Sequence, residues 1–261
     1  ILAVDVGNSN TTVGLFNGTG ELLFRALLET SRSKTRDQCA IELLGVFQLY
    51  GADACTVDGA ILSSVVPPLT TIFTDAIARL TGIPPMVVGP GIRTGLNIKA
   101  EIHNQLGSDI VASSVAAIAK YPSPIVMVDM GTATSLSLIV GSVYEGCIIM
   151  PGLALALDAL SERAAALPPI SIETASPVGL MGHTTEEAMR SGVLYGHASM
   201  VDGMLERIEE SIGQSVTTVA TGGNAPRILR YCKRPIQYDA DLIMTGLYLL
   251  YQKNAKKYRK A

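Results

Sequence analysis

The sequence has few charged residues and little excess of either sign. Charged residues make up 16% of the 261-residue chain, and 20 basic against 23 acidic side chains leave a formal net charge of -3. A nucleic-acid-binding face needs a concentrated basic patch, and basic residues cluster here only in the C-terminal tail, at 253–260. With 48% apolar residues, the composition predicts a well-buried globular protein that binds no nucleic acid.

Cysteine, histidine and long apolar runs are also scarce. The four cysteines and three histidines stand far apart, at Cys39, Cys55, Cys147, Cys232, His103, His183 and His197. Their spacing matches no zinc site, and no apolar run approaches the ~20 residues of a membrane span. The first residues lack the basic flank of a secretion signal. We therefore expect a reduced, cytoplasmic protein with no membrane segment.

A short pattern is present twice. An apolar strand leads into an Asp-apolar-Gly turn of polar and small residues at 5–11, and the same plan recurs at 129–135. About half the chain separates the two copies, so a duplicated domain explains them better than chance does. A third turn, with Gly222 and Gly223, follows another apolar strand.

Strand-like and helix-like segments alternate in both halves, which indicates an α/β fold. Helical patterns occupy 36–50, 69–80 and 108–121 in the first half, and 151–166, 186–213 and 239–253 in the second. Gly203 is a candidate break in the longest of them. We predict two closely packed domains, at 1–117 and 118–261, with the ligand between them.

The two Asp-x-Gly turns indicate a phosphate site that includes a cation. A glycine lets the backbone approach an anion closely. A carboxylate cannot bind phosphate directly because like charges repel, so Asp5 and Asp129 imply magnesium, potassium or both between carboxylate and phosphate. One such turn is usually only a hairpin, but two matching copies favour a nucleotide. The sequence therefore predicts ATP-dependent phosphorylation of a small molecule.

A third acid, Asp109, follows Gly107 and Ser108 at the start of a predicted helix. Acidic residues are common there for structural reasons alone. Asp109 is also suited to act as a general base, since phosphate transfer to an alcohol benefits from a carboxylate that accepts the hydroxyl proton. The residues alone leave both interpretations open.

In their order and spacing, these motifs resemble the type III pantothenate kinases of the actin, hexokinase and acetate-kinase superfamily. The matching segments are 5–11, 94–99, 107–109, 129–134, 151–152, 164–168, 185–192 and 221–223. The resemblance implies two duplicated ribonuclease-H-like (actin-like ATPase) halves with the active site in the cleft between them. It also implies transfer of the γ-phosphate of ATP to pantothenate, giving 4'-phosphopantothenate, the first step towards coenzyme A.

The resemblance also implies residue roles. Asp109 corresponds to the proton acceptor and Asp129 to the ligand of a monovalent cation, potassium or ammonium, while Asp5 lies on the magnesium–ATP side. The implied ATP-binding residues are Asp5, Val6, Gly7, Asn8, Ser9, Asn10, Thr11, Thr12 and Thr132. The implied pantothenate-binding residues are Gly107, Ser108, Asp109, Ile110 and Thr185. The family is dimeric, and Thr185 of one subunit reaches towards the neighbour's site.

The chain departs from the family pattern on the pantothenate side. Ile110 stands where arginine is common, and Ala100 where a tyrosine is often found, with Ile102 and His103 in place of an Asn-Pro. Arginine supplies a planar, bidentate charge, so these positions concern recognition of the acceptor. Two alternatives stay open: a weakly active or non-catalytic nucleotide-binding regulator, and a phosphoanhydride hydrolase. The hydrolase would need a water-activating glutamate between the turns, and none is obvious.

Overall fold

The chain folds into two units. The computed structural model describes residues 1–98, 106–164, 166–172 and 178–258. Ile1–Lys120 and the segment from Asp241 onwards form the first unit, and Tyr121–Ala240 forms the second. The predicted second domain began at 118 and included the closing helix, which in the structure belongs to the first unit. Periodicity identifies such a helix but not the sheet against which its apolar side packs.

The first unit is built on a five-stranded mixed sheet. In the order β3-β2-β1-β4-β5, it contains β1 (Leu2–Val6), β2 (Asn10–Phe16), β3 (Leu22–Glu29), β4 (Ala60–Ser64) and β5 (Met86–Val87). A further short strand, β6, spans Asn97–Ile98. β1 pairs antiparallel with β2 and parallel with β4. The strands β1 and β4 therefore end at one edge of the sheet, which we call the carboxyl edge.

Helices cover both faces of this sheet. They are α1 (Arg36–Leu49), α2 (Pro67–Thr81), α3 (Ser108–Lys120) and α7 (Leu242–Tyr258). Val4 and Leu62 point into a core shared with α1 and α2. Ala3 and Ile61, one position away along the same strands, point into a second core shared with α3 and α7. Because α7 completes this second core, it belongs to the first unit.

The second unit repeats the strand order of the first. Its strands are β7 (Ile125–Met130), β8 (Ala133–Val140), β9 (Val143–Pro151), β10 (Thr217–Thr221) and β11 (Gln237–Tyr238). Within the unit they lie in the order β9-β8-β7-β10-β11, with β7 antiparallel to β8 and parallel to β10. Each unit thus places its first strand between a hairpin partner and a parallel neighbour, which confirms the predicted duplication.

The helices of the second unit are α4 (Leu153–Arg163), α5 (Thr185–Ile212) and α6 (Ala225–Ile228). A capping box starts α5, in which Thr184 accepts from the Glu187 backbone N–H and the Glu187 side chain accepts from the Thr184 backbone. The helix continues through Gly203, the predicted break, and residues on both sides of that glycine lie in the core of the second unit. In the described ranges, no helix is both long and apolar enough to cross a membrane.

Candidate active site

The first Asp-x-Gly turn joins β1 to β2 at the carboxyl edge. Val6 pairs with Thr11, so the loop holds the four residues at 7–10. The backbone N–H of Gly7 donates to the carbonyl oxygen of Asn10 (3.0 Å), while residues 8–10 are exposed. Asp5 is buried just before the loop. The turn therefore presents polar side chains to solvent around a buried carboxylate.

The second Asp-x-Gly turn joins β7 to β8 and is one residue shorter. Met130 pairs with Thr134, which leaves a three-residue loop at 131–133, closed by a hydrogen bond from the Gly131 N–H to the Ala133 carbonyl (3.0 Å). The sequence repeat aligned Thr11 with Ser135. The strand register instead makes Thr134 the equivalent of Thr11, because each pairs with the residue after the aspartate. A repeat in sequence does not report the length of a hairpin loop.

Backbone from two other segments crowds the second turn. A Cβ on Gly222 would lie 2.7 Å from Asp129 Oδ1 and 2.7 Å from the Met130 carbonyl oxygen. A Cβ on Gly152 would overlap the carbonyl oxygen of Thr132. The backbone N–H of Asn224 donates to the Met130 carbonyl (3.1 Å). The Asp129 carboxylate and the Met130 carbonyl oxygen thus lie against Gly222, and the Gly131 and Thr132 carbonyl oxygens lie against Gly152, at distances that leave no room for a side chain.

This set of donors suits a hard cation. Carboxylate and carbonyl oxygens are the ligands preferred by alkali and alkaline-earth ions, whereas softer transition metals favour sulfur or imidazole. The Gly131 carbonyl also accepts from Asn224 Nδ2 (3.3 Å), which helps to fix its direction. The carboxylate and carbonyl oxygens of this turn are therefore of the ligand type that the predicted cation would require.

Asp109 lies at the start of α3, where it is half-buried. The backbone N–H of Ile110 donates to Asp109 Oδ1 (2.8 Å). Burial nevertheless raises the pKa of the Asp109 carboxyl above its ordinary value, with this hydrogen bond opposing the shift. A Cβ on Gly107 would overlap Asp109 Oδ1. Gly107 is therefore needed for the carboxylate to keep this orientation.

Asp109 and Asp5 are connected through two serines of the first unit. Ser63 is the Cα partner of Asp5 across the parallel strands β1 and β4. Its Oγ lies 2.9 Å from Ser108 Oγ, directly before Asp109. The structure thus brings the predicted ATP-side carboxylate and the predicted base to one sheet edge.

The other predicted site residues are divided between the two units. Thr132 is exposed in the Asp129 turn, and Thr185 is the exposed first residue of α5. The departures at Ala100, Ile102 and His103 lie outside the described residues. Ile110 lies half-buried in the first turn of α3.

Two contributors were absent from the prediction. Ser63 is the penultimate residue of β4, a strand that was predicted without a functional role, and its only sequence signal is a Ser-Ser pair near the strand end. His197 was noted only as one of three scattered histidines. Its ring is buried, with Nδ1 2.8 Å from the Val193 carbonyl and Nε2 3.0 Å from the Pro151 carbonyl. It therefore ties α5 to the residue before Gly152, which lies against the Asp129 turn.

The fold defines the class of protein. It is similar to that of a Campylobacter jejuni protein described as a Baf family transcriptional activator (TM-score 0.60, 18% identity, 98% of this chain and 100% of that one). It is also similar to the activator of 2-hydroxyisocaproyl-CoA dehydratase from Clostridium difficile, solved with bound ADPNP (TM-score 0.57, 11% identity, 99% and 97%). The chain has the actin-like ATPase fold, as predicted.

Sequence similarity then defines the family. The family model for type III pantothenate kinase matches residues 1–207. A type III pantothenate kinase of Exiguobacterium sp. is 38% identical over 257 residues, which cover 98% of this chain and 100% of that relative. The chain belongs to the type III pantothenate kinase family.

Proposed function

We propose that this protein transfers the γ-phosphoryl group of ATP to the primary hydroxyl of pantothenate, giving 4'-phosphopantothenate, the first step of coenzyme A biosynthesis. The observation that carries the proposal is the convergence of Asp5 and Asp109 at one sheet edge, through Ser63 and Ser108. One carboxylate suits a magnesium-bound nucleotide and the other an alcohol proton. Relatives named type III pantothenate kinase support the choice of acceptor.

Asp109 is the proton acceptor. As the hydroxyl of pantothenate attacks the γ-phosphorus, its proton passes to the Asp109 carboxylate and ADP leaves. A base works best when its pKa lies near the working pH. Burial raises the pKa of Asp109 in that direction, and the Ile110 N–H on Oδ1 orients the carboxylate.

Residues of both turns bind ATP. In the first turn these are the residues from Asp5 to Thr12, with exposed polar side chains at Asn8, Ser9 and Asn10. In the second, Thr132 contributes. The buried Asp5 carboxylate fits a magnesium ion that travels with the nucleotide, and that ion neutralises charge on the phosphates. The protein's part is to hold the phosphates in line for attack.

Asp129 holds a monovalent cation, potassium or ammonium. The support is the close approach of Gly222 to both the Asp129 carboxylate and the Met130 carbonyl oxygen, two oxygen ligands of the kind that such a cation binds. Replacing potassium with sodium tests this assignment. We expect lower activity in sodium for the native protein, and indifference to the exchange for Asp129→Asn. A native protein that is indifferent would remove the cation from the proposal.

Gly107, Ser108, Ile110 and Thr185 contribute to the pantothenate site. Thr185 begins a helix whose capping box fixes its position, and it is exposed at the surface of the second unit. We further propose a homodimer, in which Thr185 serves the neighbouring subunit, and a cytoplasmic location. Sedimentation of the purified protein tests the dimer, which a monomer at assay concentration would contradict.

A coupled assay decides among the activities. Pure protein is incubated with ATP, magnesium, potassium and pantothenate, and both ADP and phosphopantothenate are measured. The proposal requires the two products in equal amounts, and only when pantothenate is present. ADP release without pantothenate would indicate a phosphoanhydride hydrolase. Nucleotide binding without any product would indicate a regulator.

A further inference from the structure

We propose that Ser63 is a positioning residue for the reaction, which holds Asp109 in place through the hydroxyl of Ser108. The inference rests on the proposed function, since it assumes that Asp109 accepts the pantothenate proton. It adds a residue whose side-chain hydrogen bond goes to Ser108, the neighbour of Asp109. Three observations support it: the face on which Ser63 lies, the hydrogen bonds around Ser108, and the burial of Ser63.

The first step is the alternation of side chains along β4. Ile61 points into the core formed with α3 and α7, and Leu62 into the core on the opposite face. Because side chains alternate along a strand, Ser63 shares the face of Ile61 and lies beneath the start of α3. Its strand partner Asp5 shares that face, two positions after Ala3.

The second step is the set of hydrogen bonds at Ser108 Oγ. The backbone N–H of Ser64 donates to it (3.1 Å), the Ser64 carbonyl oxygen lies 3.2 Å away, and Ser63 Oγ lies 2.9 Å away. A hydroxyl donates once and accepts up to twice. Because the Ser64 carbonyl can only accept, Ser108 donates to it, and Ser63 donates to Ser108. All three capacities of the Ser108 hydroxyl are then used.

The third step is burial. Ser63 is 0% exposed, so water does not readily take the place of its hydroxyl when the hydroxyl is removed. The hydroxyl of Ser108 would then lack one of its hydrogen-bond partners, which is costly in a buried place. The partner is adjacent to Asp109, whose Oδ1 accepts a hydrogen bond from the backbone N–H of Ile110 (2.8 Å) in the same first turn of α3. Loss of the Ser63 hydroxyl therefore loosens the start of α3 at the residue on which proton transfer depends.

The test compares Ser63→Ala with a matched control on α3. Ser114 is also a fully buried serine, and within the described part of the chain its Oγ has no hydrogen-bond partner. We expect Ser63→Ala to lower kcat by roughly ten- to a hundredfold, the effect of a small misplacement of a reacting group, with an unchanged KM for ATP. Ser114→Ala should leave kcat unchanged. Ser63→Cys, with its weak S–H donor, should lie between native and alanine.

A double-mutant cycle separates positioning from general destabilisation. If Ser63 acts through Asp109, Ser63→Ala should slow the native protein but not slow Asp109→Asn further. The inference would be overturned if the double variant lost kcat by the product of the two single factors. It would also be overturned if Ser63→Ala and Ser114→Ala had the same kcat. Should Ser63→Ala fail to fold, Ser63→Cys is compared in the same cycle. A native protein without pantothenate-dependent product would refute the proposed function, and this inference with it.

Discussion

The two Asp-x-Gly turns share a strand plan and differ in what surrounds them. The first has a four-residue loop with exposed polar side chains and stands beside a second acid, Asp109, through Ser63 and Ser108. The second has a three-residue loop and is enclosed by backbone at Gly152 and Gly222. After duplication, one turn thus stands beside a second carboxylate, whereas the other is packed closely against backbone of two other segments. The surroundings of the same motif therefore differ between the two units.

The largest expected effect concerns Asp109, the acid that lies beside the first turn. Asp109→Asn keeps the size of the side chain and removes its ability to accept a proton. We expect kcat to fall by roughly 10²–10⁴, the usual contribution of a general base, while ATP affinity stays near the native value. Stopped-time assays and nucleotide titration measure the two quantities. Retention of most activity would show that the first turn needs no neighbouring base.

The pH dependence provides a second test of that acid. Burial raises the pKa of Asp109, and only the ionised carboxylate accepts a proton. The rate should therefore be full above this pKa and fall as the pH drops through it, by about tenfold per unit well below it. The midpoint of kcat/KM should lie above the ordinary value for aspartate. The residual activity of Asp109→Asn should lack this midpoint, and a native-like midpoint in that variant would assign it to another group.

Much of the fold could be predicted because each element is determined by neighbouring residues. The long helix was predicted at 186–213 and observed at Thr185–Ile212, since its capping and apolar periodicity are local. The helix predicted at 69–80 begins earlier, at Pro67, because proline is tolerated in the first turn of a helix even though it ends a strand.

Features that depend on distant segments could not be predicted in the same way. The packing of α7 against the first sheet and the contact of Ser63 with Ser108 join residues far apart in sequence. The one-residue difference between the turns is local, but it follows from the strand register, which the sequence repeat does not report. The family and fold are confirmed. The site roles of Asp5, Asp109, Asp129, Thr132 and Thr185 stay predictions, as do the cations and the dimer.

A smaller effect should distinguish the two glycines that follow β10. Gly222 has φ 93, in the region that costs other residues about 1–2 kcal/mol, and its Cβ would press on Asp129 Oδ1. Gly223 has open space around a Cβ. We expect Gly222→Ala to lower the free energy of unfolding by at least about 1–2 kcal/mol and to weaken the response to potassium, and Gly223→Ala to do neither. Denaturant titration and the potassium assay measure this, and equal behaviour of the two variants would contradict the enclosed second turn.

The smallest effect tests the register that makes Thr11 and Thr134 equivalent. Both are 1% exposed, but Thr11 Oγ1 lies 2.8 Å from Thr30 Oγ1, whereas Thr134 Oγ1 has no partner among the described residues. Removing a bonded hydroxyl costs about 1 kcal/mol, while removing an unpaired buried one relieves a desolvation cost. Thr11→Val should therefore lower the free energy of unfolding, measured without nucleotide, and Thr134→Val should leave it equal or raise it. If both variants lost the same free energy of unfolding, the Thr134 hydroxyl would be hydrogen-bonded as the Thr11 hydroxyl is. The two turns would then be alike at this position.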